Sequence, residues 1–259
     1  MTVIKLEQAG ASPWGYPLLQ DLNLHLAAGS VLGVIGPNGA GKSSLLQLMA
    51  GGMALAQGSI TLGDTDLQQW PATRKARAVA LLPQYSSLSF PYTVEEVIRL
   101  GRIPHQSGAQ QDQGILQEVM QVTDTLSLAQ RLYTQLSGGE RQRVQLARVI
   151  TQLWRSEDSP TRLLLLDEPN TALDPAHQRM VLDVIRHMAG GGCAVTLVMH
   201  DFNLVAAVAD QILVLDGGRT VAQGTPATVL TQAMFGDVFK VDVHIEQHRS
   251  NGHPLVFYS

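Results

Sequence analysis

Val31-Leu-Gly-Val-Ile35 runs directly into Gly36-Pro-Asn-Gly-Ala-Gly41-Lys42-Ser43, and Ser43-Ser-Leu-Leu-Gln-Leu-Met-Ala50 follows without a break. A short uncharged apolar run suits a strand buried on both faces. The spacing after it suits a helix. The loop between them satisfies the pattern Gly-x4-Gly-Lys-[Ser/Thr]. Glycines there let backbone N–H groups turn inward around phosphate oxygens. The helix that opens next adds the positive end of its dipole. Lys42 brings a full charge for the β and γ phosphates, and Ser43 brings a hydroxyl for Mg2+. Gly36, Pro37, Asn38, Gly39, Ala40, Gly41, Lys42, Ser43 and the adjoining Ser44 are therefore the candidate nucleotide-binding residues.

A second stretch answers the first. In Leu163-Leu-Leu-Leu166-Asp167-Glu168, four apolar residues predict a buried strand with two carboxylates at its C-terminal end. Open α/β sheets bind their ligands at that end. Asp167 is the candidate for Mg2+, and Glu168 for orienting and deprotonating a water.

The rest of the chain fits a single α/β body. Of 259 residues, 45% are hydrophobic, which excludes disorder. Lys and Arg number 18 against 22 Asp and Glu, so there is no basic excess for nucleic acid. The lone Cys193 excludes an internal disulfide. No apolar run reaches the roughly 18–20 residues that span a bilayer, and the N-terminus has no signal-peptide pattern. Strands are predicted at 3–7, 22–26, 79–82 and 194–199, with a helix at 175–189. A hairpin is predicted around Asp216-Gly-Gly218. Between about 93 and 155 the pattern turns helical, opening on the capping box Thr93-Val-Glu-Glu96 and continuing through 114–129 and 139–154. The expected organisation is one domain over 1–235: a core from 1–84 and 162–235, a helical insert over about 85–161, and a polar tail at 236–259.

Leu136-Ser137-Gly138-Gly139-Glu140, followed by Arg141-Gln-Arg143, stands between the two phosphate motifs. This resembles the signature motif of ABC ATPases. Gln84 matches the family's Q-loop, Thr171-Ala-Leu-Asp174 its D-loop, and His200 its switch histidine. The resemblance implies a P-loop NTPase (RecA-like) α/β core with an antiparallel β edge and an inserted helical subdomain. It also implies that two copies pack head to tail around ATP. Ser137, Gly138, Gly139 and Glu140 would then meet the γ-phosphate held by the partner's P-loop. Glu168 would be the general base and His200 a γ-phosphate contact. Gln84 would reach Mg2+, and Asp174 would bridge the two copies.

The sequence departs from the family where an adenine-stacking aromatic is expected, because Ala11 stands there. Tyr16 is the first candidate to replace it and Trp14 the second. Ser44 and Asn170 replace commoner threonine or serine. With no membrane span of its own, a transport role requires a separate permease of two subunits, met near Gln84 and the helical insert. It also implies a place on the cytoplasmic face of a bacterial inner membrane, and indirectly a periplasmic binding protein. Residues 85–105, ending in Gly101-Arg102-Ile-Pro104-His105, resemble ATPases of the iron-chelate, haem and cobalamin importers. With the stretch Val144 to Trp154 and the polar segment Arg155 to Thr161 that follows it, the resemblance narrows to haem importers. A siderophore or cobalamin importer, an exporter, and a soluble ABC ATPase acting on nucleic acid or the ribosome stay open as alternatives. His244, His248 and His253 read as a solvated tail, Cys193 as a small core residue, and Trp70 and Trp154 as packing or permease contacts.

Overall fold

The computed structural model describes residues 1–85, 88–249 and 252–258. Ser86 and Ser87 of the 85–105 stretch, and Ser250, Asn251 and Ser259 of the tail, lie outside the described residues.

Strand β1 (Thr2–Ala11) pairs antiparallel with β2 (Leu19–Ala27), which leads into β3 (Val31–Ile35), the phosphate-loop candidate and α1 (Lys42–Met49). β4 (Gln57–Leu62) takes the other edge of β1, and β5 (Thr65–Asp66) completes that antiparallel sheet. α2 (Ala72–Ala78) and β6 (Val79–Leu82) return the chain to the second sheet. The helical insert follows as α3 (Val94–Arg99), α4 (Ala109–Val122) and α5 (Gly138–Leu153). Then come β7 (Leu163–Asp167), α6 (Pro175–Gly190), β8 (Ala194–Val198), α7 (Phe202–Val208), β9 (Gln211–Asp216) and β10 (Arg219–Gly224).

The second sheet has the order β10-β9-β3-β8-β7-β6, parallel except for β10. Its faces feed two cores. Leu164 and Leu166 of β7 pack with the helical insert and α6, while Leu163 and Leu165 pack with α1 and the antiparallel sheet. Period-two alternation inside an all-apolar strand is what a sheet covered on both faces requires.

Two expectations shift. The helix expected at 114–129 runs from Ala109 and stops at Val122. There the Thr123 hydroxyl donates back to the Val119 carbonyl at 2.8 Å, and Asp124 adopts a left-handed φ of 49°. Local side-chain bonds of this kind compete with helix continuation. The tail is not simply solvated: β11 (Val243–Gln247) and β12 (Pro254–Tyr258) form an antiparallel hairpin, with Val243 and Val256 buried in the main core. His244 therefore sits on a strand and shares no helical face with His248. His248 instead stacks on His253 with ring centroids 4.7 Å apart. Trp70 is a packing residue whose indole N–H donates to the Leu62 carbonyl at 3.1 Å.

Candidate active site

The turn from β3 to α1 needs its glycines for two reasons. Gly36 has φ 153° and Gly41 has φ 98°, a region side chains rarely enter. There is also no room: a Cβ at Gly36 would overlap the Leu215 carbonyl oxygen, and one at Gly41 would lie 2.9 Å from Leu19 Cδ2. Gly41 has no side chain with which to cap α1, so the first-turn N–H groups stay available to an anion. Lys42 folds back over the loop, and its Nζ donates to the Gly36 carbonyl at 2.7 Å and to the Pro37 carbonyl at 2.9 Å. Burial pulls its ammonium below the ordinary lysine range, against the opposing pull of Glu168 and Asp167.

The loop opens on a cleft of about 470 Å3 lined by Leu18, Asn38, Gly39, Gly41, Lys42, Ser43, Ser44, Gln84, Glu168, Val198 and His200. Sheet order explains the gathering. The C-terminal ends of β3, β8, β7 and β6 lie side by side, so P-loop, His200, Asp167-Glu168 and Gln84 emerge as neighbours.

Asp167 ends β7 with 4% of its surface exposed. Burial raises its carboxyl above the usual range, while a hydrogen bond from Ser43 pulls the other way. Its Oδ1 is buried without a hydrogen-bond partner. An orphaned acceptor in a buried carboxylate is costly. A hard divalent cation that takes oxygen ligands would relieve it, and the Ser43 hydroxyl stands beside it as a second oxygen. The donor set therefore fits Mg2+.

Glu168 sits one residue on with φ 51°. Its peptide is held at both ends: the N–H donates to the Val198 carbonyl at 2.9 Å, and the carbonyl accepts from Gln142 Nε2 at 3.1 Å. Its carboxylate is held as well. Oε1 accepts from Gln84 Nε2 at 2.8 Å and pairs with His200 Nε2 at 2.8 Å, while Oε2 accepts from Thr171 Oγ1 at 3.2 Å. The candidate base is thus the hub of the cleft. Gln84 meets Glu168 directly, which leaves its amide oxygen as the end that could face a cation.

The signature residues occupy a different place. Ser137 caps α5 in a reciprocal capping box: its hydroxyl accepts from the Glu140 N–H at 3.3 Å, and its own N–H donates to Glu140 Oε2 at 2.7 Å. Arg131 pairs with Glu140 Oε1 at 2.8 Å. Gly139 packs on the next loop, where a Cβ would come 2.9 Å from the Ala172 carbonyl oxygen. None of Ser137, Gly138, Gly139 and Glu140 lines the P-loop cleft. One chain carries the two halves of the predicted site on separate surfaces. Asp174 caps α6 by accepting from the His177 N–H at 2.9 Å, and it pairs with the His177 ring at 2.8 Å. That bond to the His177 N–H is the first reason its carboxyl lies below the usual range.

Tyr16 projects from the loop before Leu18 with 78% of its surface exposed, and Trp14 likewise with 74%. Neither lines the cleft, whose rim is Leu18. Thr171, the first residue of the D-loop match, reaches Glu168, a contact the sequence does not predict, and Gln142 has no role in the sequence reading. A polar side chain on the half-buried face of α5, five residues past Ser137, was the available signal for Gln142.

A strand, glycine loop and helix joined to a paired-carboxylate strand end, a histidine that meets the second carboxylate and a separate glycine-rich helix cap define an ATP-binding cassette. The sequence profile of the ABC transporter family matches residues 19–171, and the chain belongs to that family. It is 49% identical to the hemin import ATP-binding protein HmuV of Pseudomonas entomophila (strain L48), over 92% of this chain and 93% of that one. It is 42% identical to the protein of the same name from Gloeobacter violaceus, over 98% and 93%. Among solved structures it matches an inward-facing ABC transporter provisionally described as metal-chelate type. There the TM-score is 0.79 and the identity 28%, covering 99% of this chain and 98% of that one.

Proposed function

We propose that this chain is the ATP-hydrolysing subunit of a bacterial ABC importer that takes up haem through a separate membrane permease. The observation that carries the ATPase part is the hub at Glu168, where Gln84, His200 and Thr171 converge on one carboxylate beside the P-loop. The haem part is supported by the hemin import relatives, at 42–49% identity over more than nine-tenths of the chain.

The residues divide the work. The P-loop N–H groups and Lys42 bind the triphosphate of ATP. Ser43 and Asp167, with Gln84, would hold Mg2+, which when bound neutralises charge on the β and γ phosphates. Glu168 accepts the proton of the attacking water at a carboxylate oxygen whose direction Gln84, His200 and Thr171 set. His200 then turns its ring nitrogen to the γ-phosphate. Because Ser137 and Gly139 do not line the cleft, the site is completed by a second copy, head to tail, with Asp174 near the seam. The α5 cap then offers the Ser137 hydroxyl proton and helix N–H groups to the γ-phosphate. Closure depends on the γ-phosphate, so hydrolysis releases it and drives the permease. Tyr16 stacks on adenine once the loop carrying it closes over Leu18.

Among the described residues no helix is long and apolar enough to cross a membrane. The proposed place is the cytoplasmic face of the inner membrane, held by two permease subunits and served from outside by a periplasmic binding protein. Tyr85, Phe90 and Ile103, all exposed along 85–103, are the apolar side chains offered to the permease.

A strain lacking this chain, grown under iron limitation on haem or on a ferric siderophore, with cobalamin-dependent growth in parallel, tests the substrate. Growth lost on haem alone supports the reading. Growth lost on the siderophore or cobalamin with haem use intact overturns haem and keeps the importer. The metal-chelate resemblance is the specific reason to run the siderophore arm.

A further inference from the structure

The nucleotide cleft uses no residue of β11 or β12, yet β12 lines a cavity that His200 shares with that cleft. A cavity of about 510 Å3 lies between His200, Asp201, Phe202 and Asn203 on one side and Val256, Phe257 and Tyr258 on the other. Among the described residues β11 and β12 pair only with each other, and the outer edge of β12 meets α7. Asn203 serves that edge as a strand would. Its Nδ2 donates to the Val256 carbonyl at 3.1 Å, and its Oδ1 accepts from the Val256 N–H at 2.7 Å. Both ends of one side-chain amide are satisfied by one backbone residue, which fixes the amide plane as well as its position.

The residues between Asn203 and His200 are fixed too. Phe202 stands edge-on to Phe235 at 4.8 Å and to Phe239 at 5.0 Å, the two rings that precede the hairpin. Asp201 caps α7, accepting from the Asn203 and Leu204 N–H groups at 2.9 and 3.1 Å. His200 itself has a side chain 57% exposed, and its hydrogen bond is the one to Glu168. The backbone just beyond that exposed ring is tied to the C-terminal hairpin through Asn203.

We infer that the C-terminal hairpin holds His200 in register with Glu168, with Asn203 as the positioning residue that transmits its grip. The inference rests on the proposed role of His200, and it gives the segment beyond the ABC core a place in the reaction. Cutting the Asn203–Val256 pair unties the first turn of α7 from the hairpin, leaving the Asp201 cap and the Phe202 packing to hold it, and lets the ring shift against Glu168. Misplacing a reacting group by about 1 Å can cost on the order of 100-fold, and partial release should cost about 10-fold.

The test compares the full chain with Asn203→Ala, with a chain ending at Asp242, and with both changes combined. Nitrogen-15 histidine spectra, with the His200 signal assigned by its loss in His200→Ala, report the ring without turnover. Phosphate release per bound ATP reports the reaction. The inference expects Asn203→Ala to shift or broaden the His200 signal and to slow phosphate release about 10-fold at unchanged ATP affinity. It also expects no further loss when Asn203→Ala is added to the shortened chain, because both changes cut one connection. An unmoved His200 signal in Asn203→Ala overturns the inference even if the shortened chain fails to fold. So does unchanged turnover in Asn203→Ala when His200→Ala stops the reaction. Turnover surviving His200→Ala overturns the role of His200 itself, a separate failure.

Discussion

Arg102→Met should be among the most destabilising single changes outside the cleft, and the structure sets its size. The Arg102 side chain is 2% exposed. Its Nε meets Asp112 Oδ1 at 2.8 Å and its Nη1 meets Asp158 Oδ2 at 2.8 Å. Nη1 also donates to the Thr151 carbonyl at 3.2 Å, and Nη2 to Ser107 Oγ at 2.8 Å. Methionine fills much of the volume but strands two carboxylates whose side chains are only 19% and 12% exposed. Asp112 keeps a 2.7 Å bond from Ser107, and Asp158 keeps His105 at 3.6 Å. Removing one partner of a buried ion pair costs about 3–5 kcal/mol. For a chain of this size that corresponds to a fall in Tm of roughly 6–20 °C. Urea unfolding followed by circular dichroism at pH 7 measures it. Arg179→Met is the control: its pair with Asp183 joins side chains 67% and 56% exposed, and its loss should cost under about 0.5 kcal/mol. There is also a pH arm. Burial pushes the Asp112 carboxyl up, but Ser107 and Arg102 together outweigh it and hold it below the usual range. A depressed folded pKa gives stability that is present above the unfolded value, about 3.9, and lost as pH falls below it. The gap between parent and variant should therefore narrow between about pH 5 and 3. A cost below about 1 kcal/mol, or one equal to the Arg179 control, would refute the argument that this buried knot ties the insert together.

Glu168→Gln keeps the shape of the hub but loses the base; phosphate release should fall by about 10²–10⁴ while ATP still binds, and unchanged turnover would remove Glu168 from that role. Gly36→Ala drives a methyl into the Leu215 carbonyl, and binding of a fluorescent ATP analogue should weaken at least about tenfold. Gln142→Ala releases the Glu168 carbonyl; one lost hydrogen bond of about 0.5–1.5 kcal/mol predicts a two- to tenfold slower turnover, with an unaltered rate counting against a positioning role. Cys193, buried with its thiol pushed up to about 12, should resist iodoacetamide at pH 8 in the native chain and react in urea; native labelling at the rate of a free thiol would contradict its burial.

The Gly101-Arg102-Ile-Pro104-His105 stretch shows how a motif can be legible before its reason is. In the sequence it is the ending that resembles the iron-chelate, haem and cobalamin importers. In the structure Gly101 has no space for a Cβ because the Arg148 carbonyl oxygen occupies it, and Arg102 is the knot described above. The Pro104 carbonyl accepts from Arg77 Nε at 2.6 Å. The Arg155 to Thr161 segment reads in the sequence as a separate feature, yet Asp158 within it is one of the partners of Arg102. Spacing alone could not join the two, because they stand 56 positions apart with the helices α4 and α5 between them.

What the sequence determined by itself is the local chemistry. A buried strand, a glycine loop and a helix follow within twenty residues, and each demand there is met by neighbours along the chain: positive φ by glycine, charge by Lys42, the helix end by backbone N–H groups. The capping boxes at Thr93 and Ser137 and the hairpin at Asp216 are local in the same sense. Only the tertiary structure decided which distant residues share the cleft. Glu168 meets Gln84 across 84 positions and His200 across 32, because β8 inserts between β3 and β7 while β6 lies beyond β7. That order is set by which apolar strands bury one another and by right-handed crossovers, and neither leaves a mark in any short window of residues. The tail was illegible for the same reason. Its polar composition hid two buried valines whose partners, the α7 edge and the Phe235 cluster, exist only once the chain has folded.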